Sequence, residues 1–295
     1  MTADLPVVDT HVHFWDRRRT DLEYGWLDGD GAEATLGDLD GLRAVRYSVP
    51  ELRADTRMHG VTQVVHMSAA TSGHLAETRW LQGLGDETGW PDAIVAGVDL
   101  AAPDAAATLD RHREHDRLRG VRDMRDGSVL GDPAFRRGYA RLAGTGLVLC
   151  HSVGVDHVAA AVALVRAVPD VVLCVDQSGM PESRSPEYLR TWRAALGTLA
   201  AEPNVVVKIS SLGVHDHDWT PASRRPWIRA LVDAFGPDRC LYGSNWPVER
   251  LYSGYGDALG VFRAAIGDLS GAEQAAVLAG NARRVFRLEP VPAGP

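Results

Sequence analysis

The stretch VVLCVDQ, residues 171–177, places five consecutive apolar residues directly before two polar ones. A continuous apolar run of this length is typical of a strand that is buried on both faces, as in a parallel sheet covered by helices. Runs of the same kind recur along the chain, at 6–14, 60–68, 93–100, 118–124, 146–152, 204–211 and 239–245. The sequence therefore predicts eight buried strands.

Segments with helical periodicity separate these runs, and the alternation of strand and helix indicates βα units. Eight units in about 250 residues predict a (β/α)8 TIM barrel, an α/β fold. A doubly wound open sheet is the alternative, but it requires a Gly-rich phosphate-binding turn after an early strand, and the sequence has none. We predict one barrel domain over residues 1–288 and a flexible Pro/Gly-rich tail at 289–295. The predicted helices lie at 74–89, 105–115, 133–144, 155–168, 187–201 and 224–236.

Composition excludes several classes of protein. The 295 residues carry a net charge of −8 with no run of Lys and Arg, which argues against a nucleic-acid partner. No apolar stretch is long enough for a membrane span, and the N-terminus lacks a secretory pattern. Three cysteines without a pairing framework indicate reduced, buried thiols. We expect a cytoplasmic protein that binds a small-molecule substrate, and homo-oligomerisation is left open.

A barrel collects the carboxyl ends of its strands at one rim, where active sites are built. Alternation along the first strand places Asp9, His11 and His13 on one face. The long segment 16–56 follows that strand and is a candidate lid, the alternative being a surface excursion. Polar residues at or near the ends of the other predicted strands are His66, Arg122, His151, Gln177, Lys208 and Asn245.

These residue types suit acid–base chemistry on a carbonyl compound. Histidine exchanges a proton near neutral pH, and the planar fork of Arg122 suits a carboxylate or an oxyanion, although an ion pair with an acidic neighbour is its alternative role. Aromatic rings near the strand ends suit a sugar face or a planar ring, with plain packing as the alternative. The candidate rings are Trp15 and Trp246, with Tyr24 or Trp26 from the long segment.

The chain contains an ordered set of motifs that covers nearly its whole length: VVDTHVHFWD at 7–16, LRGVRDM at 118–124, PNVVVKISSLG at 203–213, FGPDRCLYGSNWPVERL at 235–251 and GNARRVFRL at 280–288. This set resembles the amidohydrolase-2 branch of the amidohydrolase superfamily, which includes sugar-acid lactonases and 2-pyrone-4,6-dicarboxylate lactonase. The resemblance implies a (β/α)8 barrel and a hydrolase that opens a lactone or a related cyclic ester or amide.

Two positions depart from the family pattern. The family usually has histidine in a DHLGKP motif after the sixth strand, where this chain has DQSGMP and Gln177. It usually has aspartate in GSDWP after the eighth strand, where this chain has GSNWP and Asn245. In metal-using relatives that aspartate binds metal and takes the proton from water. Because neutral amides are poor metal ligands and poor bases, we expect a metal-free site. The alternative is Zn or Mn on His11, His13 and His151.

The expected catalytic residues are therefore His11, His13, His151, Lys208 and Asn245. The expected substrate-binding residues are Arg122, Gln177, His66, Trp15 and Trp246. Loss of the aspartate leaves a second hypothesis open, a non-hydrolytic barrel enzyme such as a decarboxylase, lyase or cyclase. A third hypothesis, a binding protein without catalysis, is disfavoured because both N-terminal histidines, Arg122 and Lys208 are present.

Overall fold

A computed structural model describes residues 5–28 and 31–290. Of the predicted tail, residues 291–295 lie outside the described part of the chain. Eight parallel strands follow one another around the sheet in chain order, each paired with its sequence neighbour. They are β1 Val7–Val12, β2 Val61–Met67, β3 Ala93–Gly97, β4 Leu118–Arg122, β5 Val148–Ser152, β6 Leu173–Asp176, β7 Val205–Ile209 and β8 Cys240–Tyr242.

The residues just beyond β1 and β8 bring the first and last strands together. Val12 forms a parallel bridge with Trp246. The His13 amide donates to the Trp246 carbonyl at 2.8 Å, and the Trp246 amide donates to the His11 carbonyl at 3.2 Å. The two ends of the sheet therefore meet at the rim that carries the candidate site, and the predicted (β/α)8 barrel is confirmed.

A helix follows each strand, and the six predicted helices are present. The sequence patterns missed the first and last of the eight helices that follow the strands. The first of them lies at the end of the long segment after β1. No helix among the described residues has both the length and the apolar character needed to cross a bilayer. The helices are α1 Val49–Thr56, α2 His74–Thr88, α3 Ala105–Arg113, α4 Pro133–Ala140, α5 Val158–Ala167, α6 Pro186–Ala200, α7 Pro221–Phe235 and α8 Tyr255–Ala265.

The apolar side chains form two clusters because successive strand residues point to opposite faces. One cluster fills the barrel interior with residues such as Val65, Met67 and Cys150, and the C-terminal helix Asn281–Phe286 adds Phe286 to it. The other cluster joins the outer strand faces to the helices. All three cysteines are buried free thiols.

The segment after β1 packs onto the barrel instead of extending from it. Trp15–Asp16 pairs with Arg46–Tyr47 as a short antiparallel ribbon. The Trp15 ring contacts Trp26 edge to face at 5.8 Å between centroids and lies 5.5 Å from Tyr47. This aromatic cluster fixes the segment above the strand ends, which is the place predicted for a lid.

Two helical glycines provide a matched test of the packing between α4 and the loop after β3. A Cβ on Gly138 in α4 would stand 1.9 Å from the Leu100 carbonyl oxygen, whereas one on Gly197 in α6 would meet nothing within 4 Å. We expect Gly138→Ala to lower the free energy of unfolding by about 1–3 kcal/mol through overpacking. Gly197→Ala should raise it by about 0.5–1 kcal/mol because alanine favours the helix. Urea unfolding measures both, and equal shifts would contradict the close approach of α4.

Candidate active site

A cavity of about 200 Å³ opens at the carboxyl ends of the strands. Five of its polar residues lie at strand ends or within three residues of them: His13, Ser68, Arg122, Gln177 and Asn245. The rest of its wall comes from the loops above: Trp26, Thr35, Leu36, Ala69, Met124, Met180, Val214 and Val248. This is the position in which (β/α)8 barrels bind substrates.

His13 lies in the wall of this cavity with a defined proton position. Its Nδ1 is 2.9 Å from the Met67 carbonyl oxygen, and a carbonyl only accepts, so Nδ1 carries the proton. Burial, with a further contribution from the Arg122 guanidinium, lowers the pKa of His13 to about 4. The ring is therefore neutral near pH 7, and its Nε2 carries a lone pair.

Asn245 faces that lone pair, with its amide oxygen Oδ1 placed 3.2 Å from His13 Nε2. Because an amide oxygen only accepts, a lone pair on Nε2 requires the amide group of Asn245 to be turned by about 180°, which exchanges Oδ1 and Nδ2 and presents an N–H to His13. Asn245 also has a positive φ of 58°, a conformation that asparagine tolerates better than most residues. The residue thus combines a required backbone shape with a hydrogen-bond donor.

His11 lies one layer deeper, with its ring centroid 5.0 Å from that of His13. Its Nδ1 is 3.1 Å from Ser210 Oγ, and its buried Nε2 has no hydrogen-bond partner among the described residues. Burial, His13 and Lys208 together lower the pKa of His11 well below its usual value. His11 is thus a neutral ring behind His13 and does not line the cavity.

Asp9 does not share the face of the two histidines, contrary to the alternation argument. Its carboxylate accepts a hydrogen bond from the Tyr255 hydroxyl of α8 at 2.9 Å. The pairing of β1 with β2 is irregular between Asp9 and Val12, and such an irregularity shifts which side chains share a face.

Arg122 is the charged side chain of the cavity wall. It is 93% buried and donates from Nη1 to the Ser68 carbonyl at 3.2 Å. None of the ion pairs formed by the described residues involves Arg122, since the neighbouring Asp123 pairs with Arg125. The Arg122 guanidinium therefore faces the cavity with no direct ion pair among the described residues, and the buried Glu77 carboxylate interacts with its charge at longer range.

Gln177 lies across the cavity at the end of β6. Its side-chain oxygen accepts a hydrogen bond from Ser152 Oγ at 2.6 Å, which leaves its amide N–H groups to bind a ligand. Its φ of 53° is in the left-handed region, a strained conformation for a residue other than glycine. Such strain is found at functional sites more often than elsewhere.

Lys208 lies inside the barrel beneath the cavity and not in its wall. Its ammonium is 2.9 Å from Asp176 Oδ1, and both side chains are fully buried. Burial alone would lower the pKa of Lys208, but the Asp176 carboxylate outweighs burial and raises it. Lys208 is therefore a permanently charged partner of Asp176, and the structure does not place it where it would touch substrate.

Two other predicted histidines lie outside the cavity wall. His66 Nε2 accepts the Phe14 amide at 2.9 Å, so this ring anchors the backbone just after His13. His151 lies next to the inward-facing Cys150, and the centroid of its ring is 6.1 Å from that of Phe135 in α4. Both rings therefore contact other parts of the protein, and neither lines the cavity.

The two predicted tryptophans are also used for packing. Trp15 donates from its indole to the Ala44 carbonyl at 3.0 Å, and Trp246 donates to the Asp55 carboxylate at 2.9 Å. Neither ring lines the cavity, whereas Trp26 does. The predicted aromatic wall is therefore supplied by the long segment alone.

The three histidines of the metal alternative do not form one donor set in the described part of the chain. Within residues 5–28 and 31–290, the side chains of His11, His13 and His151 do not gather into a ligand group. The group that does gather is Cys150, Cys174 and Asp176. There the Lys208 ammonium lies 2.9 Å from the Asp176 carboxylate and 3.5 Å from Cys150 Sγ, so a cation already occupies the position.

The sequence patterns missed several residues of the cavity wall. Ser68 and Met124 close two of the predicted strand runs, so their positions at strand ends were a usable signal. Met180, Val214 and Val248 lie three or more residues beyond strands, where no pattern in the chain marks which loop residues face inward.

The chain is similar to known proteins over nearly its whole length. The family model described as Amidohydrolase matches residues 8–288. An L-fucono-1,5-lactonase of Burkholderia multivorans is 33% identical over 315 residues, covering 97% of each chain. A second L-fucono-1,5-lactonase, from Burkholderia ambifaria, is 28% identical over 261 residues, covering 85% of this chain and 83% of that protein.

A solved structure supports the same assignment. An amidohydrolase from Burkholderia multivorans, crystallised with bound Zn, superposes with a TM-score of 0.82 at 30% identity, covering 96% of this chain and 100% of that one. The resemblance found in the motifs is confirmed, and the chain belongs to the amidohydrolase family of hydrolases.

Proposed function

We propose that this hydrolase opens a lactone ring without a metal ion, using His13 as general base. The observation that carries the proposal is the neutral His13 ring in the cavity wall, with its proton held on Nδ1 by the Met67 carbonyl at 2.9 Å. The lactonase names of the two Burkholderia relatives support a lactone as the substrate class.

In the first step, His13 Nε2 takes a proton from a water molecule while the water oxygen adds to the lactone carbonyl carbon. Negative charge develops on the former carbonyl oxygen, and the unpaired Arg122 guanidinium stabilises it. The Asn245 amide donates to the water or to the substrate when these displace its contact with His13.

In the second step, the bond between the carbonyl carbon and the ring oxygen breaks, and His13 returns its proton to that oxygen. The product is a hydroxy acid, and the ring of His13 is again neutral. The Met67 carbonyl stabilises the transient imidazolium because it accepts the Nδ1 proton throughout. His11 and the Lys208–Asp176 pair support this arrangement from below and do not exchange protons with substrate.

The metal-free proposal is tested by chelation, since the similar Burkholderia multivorans structure contains Zn. We expect protein dialysed against a chelator to contain no stoichiometric Zn or Mn by elemental analysis and to retain its turnover of lactones. Loss of turnover on chelation, with recovery on adding Zn or Mn, would contradict the proposal.

Replacement of the base tests the role of His13. We expect His13→Gln to lower kcat by about 10²–10⁴-fold, because glutamine hydrogen-bonds but does not accept the proton. The matched control is His115→Gln, since His115 lies between α3 and β4, at the opposite end of the barrel from the cavity. Thermal unfolding shows whether each variant is folded. Unchanged turnover in folded His13→Gln would refute the assignment.

A further inference from the structure

The floor of the cavity, formed by the five polar residues at the strand ends, is polar. The part of its wall that comes from the loops is apolar. Apart from the five polar residues at strand ends and Thr35, every residue that lines it among the described ones is apolar. Met124 is half exposed at this wall, although large apolar side chains are usually covered. Methionine thioethers adapt to varied apolar shapes, and Met180 lines the same cavity.

The hydrogen-bonding groups of the floor are largely committed. His13, Asn245 and Arg122 serve the reaction proposed above. The Ser68 hydroxyl donates to the buried Glu77 carboxylate, and the Gln177 side-chain oxygen accepts from Ser152. Among the described side chains that line the cavity, the Thr35 hydroxyl and the Gln177 amide N–H groups remain as donors. A sugar lactone with hydroxyl groups on most of its ring carbons would leave several of them unpaired against the apolar wall, which is unfavourable.

The charge of the cavity restricts the substrate as well. Arg122 is the one formally charged side chain of the described lining. If it stabilises the oxyanion, no second cation remains in the wall for further carboxylates. A dicarboxylate would therefore bring at least one unpaired charge into a partly apolar cavity, which is costly.

We propose that the substrate is a lactone with an apolar substituent, few hydroxyl groups and at most one carboxylate. This inference rests on the lactone hydrolysis proposed above and narrows it. The lactone carbonyl lies at the floor between His13 and Arg122. The substituent extends along the wall formed by Trp26, Met180 and Val248.

A panel of purified lactones tests the inference with the intact wild-type protein. The panel contains δ-valerolactone, δ-lactones with alkyl chains of increasing length, an aldono-1,5-lactone and 2-pyrone-4,6-dicarboxylate. We expect kcat/KM to rise by about fourfold per added methylene until the cavity is filled. The aldonolactone and the dicarboxylate should be the poorest substrates. Acid release is followed at neutral pH.

The outcomes separate the two proposals. If the aldonolactone or the dicarboxylate matches or exceeds the alkyl lactones, the apolar-substituent proposal is overturned while the lactone hydrolase stands. If none of the lactones releases acid, the proposed function itself fails. Rising kcat/KM with alkyl length supports both.

A near-isosteric pair of variants tests the wall directly. Val248→Thr adds a hydroxyl to the wall without changing its shape, and Val45→Thr makes the same change at a position that is 58% exposed and outside the cavity lining. We expect Val248→Thr to lower kcat/KM for the longest alkyl lactone by about 10-fold, at the lower end of the range for one apolar contact. The aldonolactone should be unaffected or improved, and Val45→Thr should change neither. Equal losses on both lactones in Val248→Thr would contradict the proposal.

Discussion

The site depends on one hydrogen bond, from His13 Nδ1 to the Met67 carbonyl at the end of β2, at 2.9 Å. It joins the first two strands of the barrel across the rim and fixes the orientation of the imidazole ring. It also fixes the proton, because the carbonyl only accepts. Burial then keeps the ring uncharged, with a pKa of about 4. A neutral imidazole with a lone pair on Nε2 follows from these two constraints together.

The same lone pair explains why an amide is suitable at position 245. A carboxylate there would place a second acceptor 3.2 Å from His13 Nε2, and the two would repel unless a metal ion or a proton lay between them. Asparagine supplies a hydrogen in that position once its amide group is turned so that Nδ2 faces His13. The replacement of the family's aspartate and the neutral state of His13 are therefore consistent with each other, and Gln177 in place of histidine removes another ligand from the same rim.

Beneath the rim, the buried Lys208–Asp176 pair sets the electrostatics of the floor. Burial, the neighbouring His13 and then the Lys208 ammonium lower the pKa of His11 and keep that ring neutral as well. A buried pair of this kind is strongly destabilising when one partner is removed. Variants of Lys208 would therefore report on folding before they report on catalysis.

The sequence predicted the barrel and the rim correctly because both depend on regular features. Apolar runs mark buried strands, and parallel strands end at one rim. Prediction failed where the direction of a side chain could not be read from the sequence pattern. The irregular pairing of β1 turned Asp9 away from His11, and alternation along β5 turned His151 away from the cavity. Lys208 points into the barrel, but it lies beneath the cavity and does not line it. The apolar wall comes from loops, whose side-chain directions depend on tertiary packing and not on a period.

The central claim, that His13 is a neutral ring with its proton on Nδ1, is tested most directly by ¹⁵N NMR of that ring. The signals are assigned by comparison with His13→Gln and followed as a function of pH. A neutral ring at pH 6 with its proton on Nδ1, titrating near pH 4, is the result we expect. A proton on Nε2, or an imidazolium at pH 6, would contradict the account.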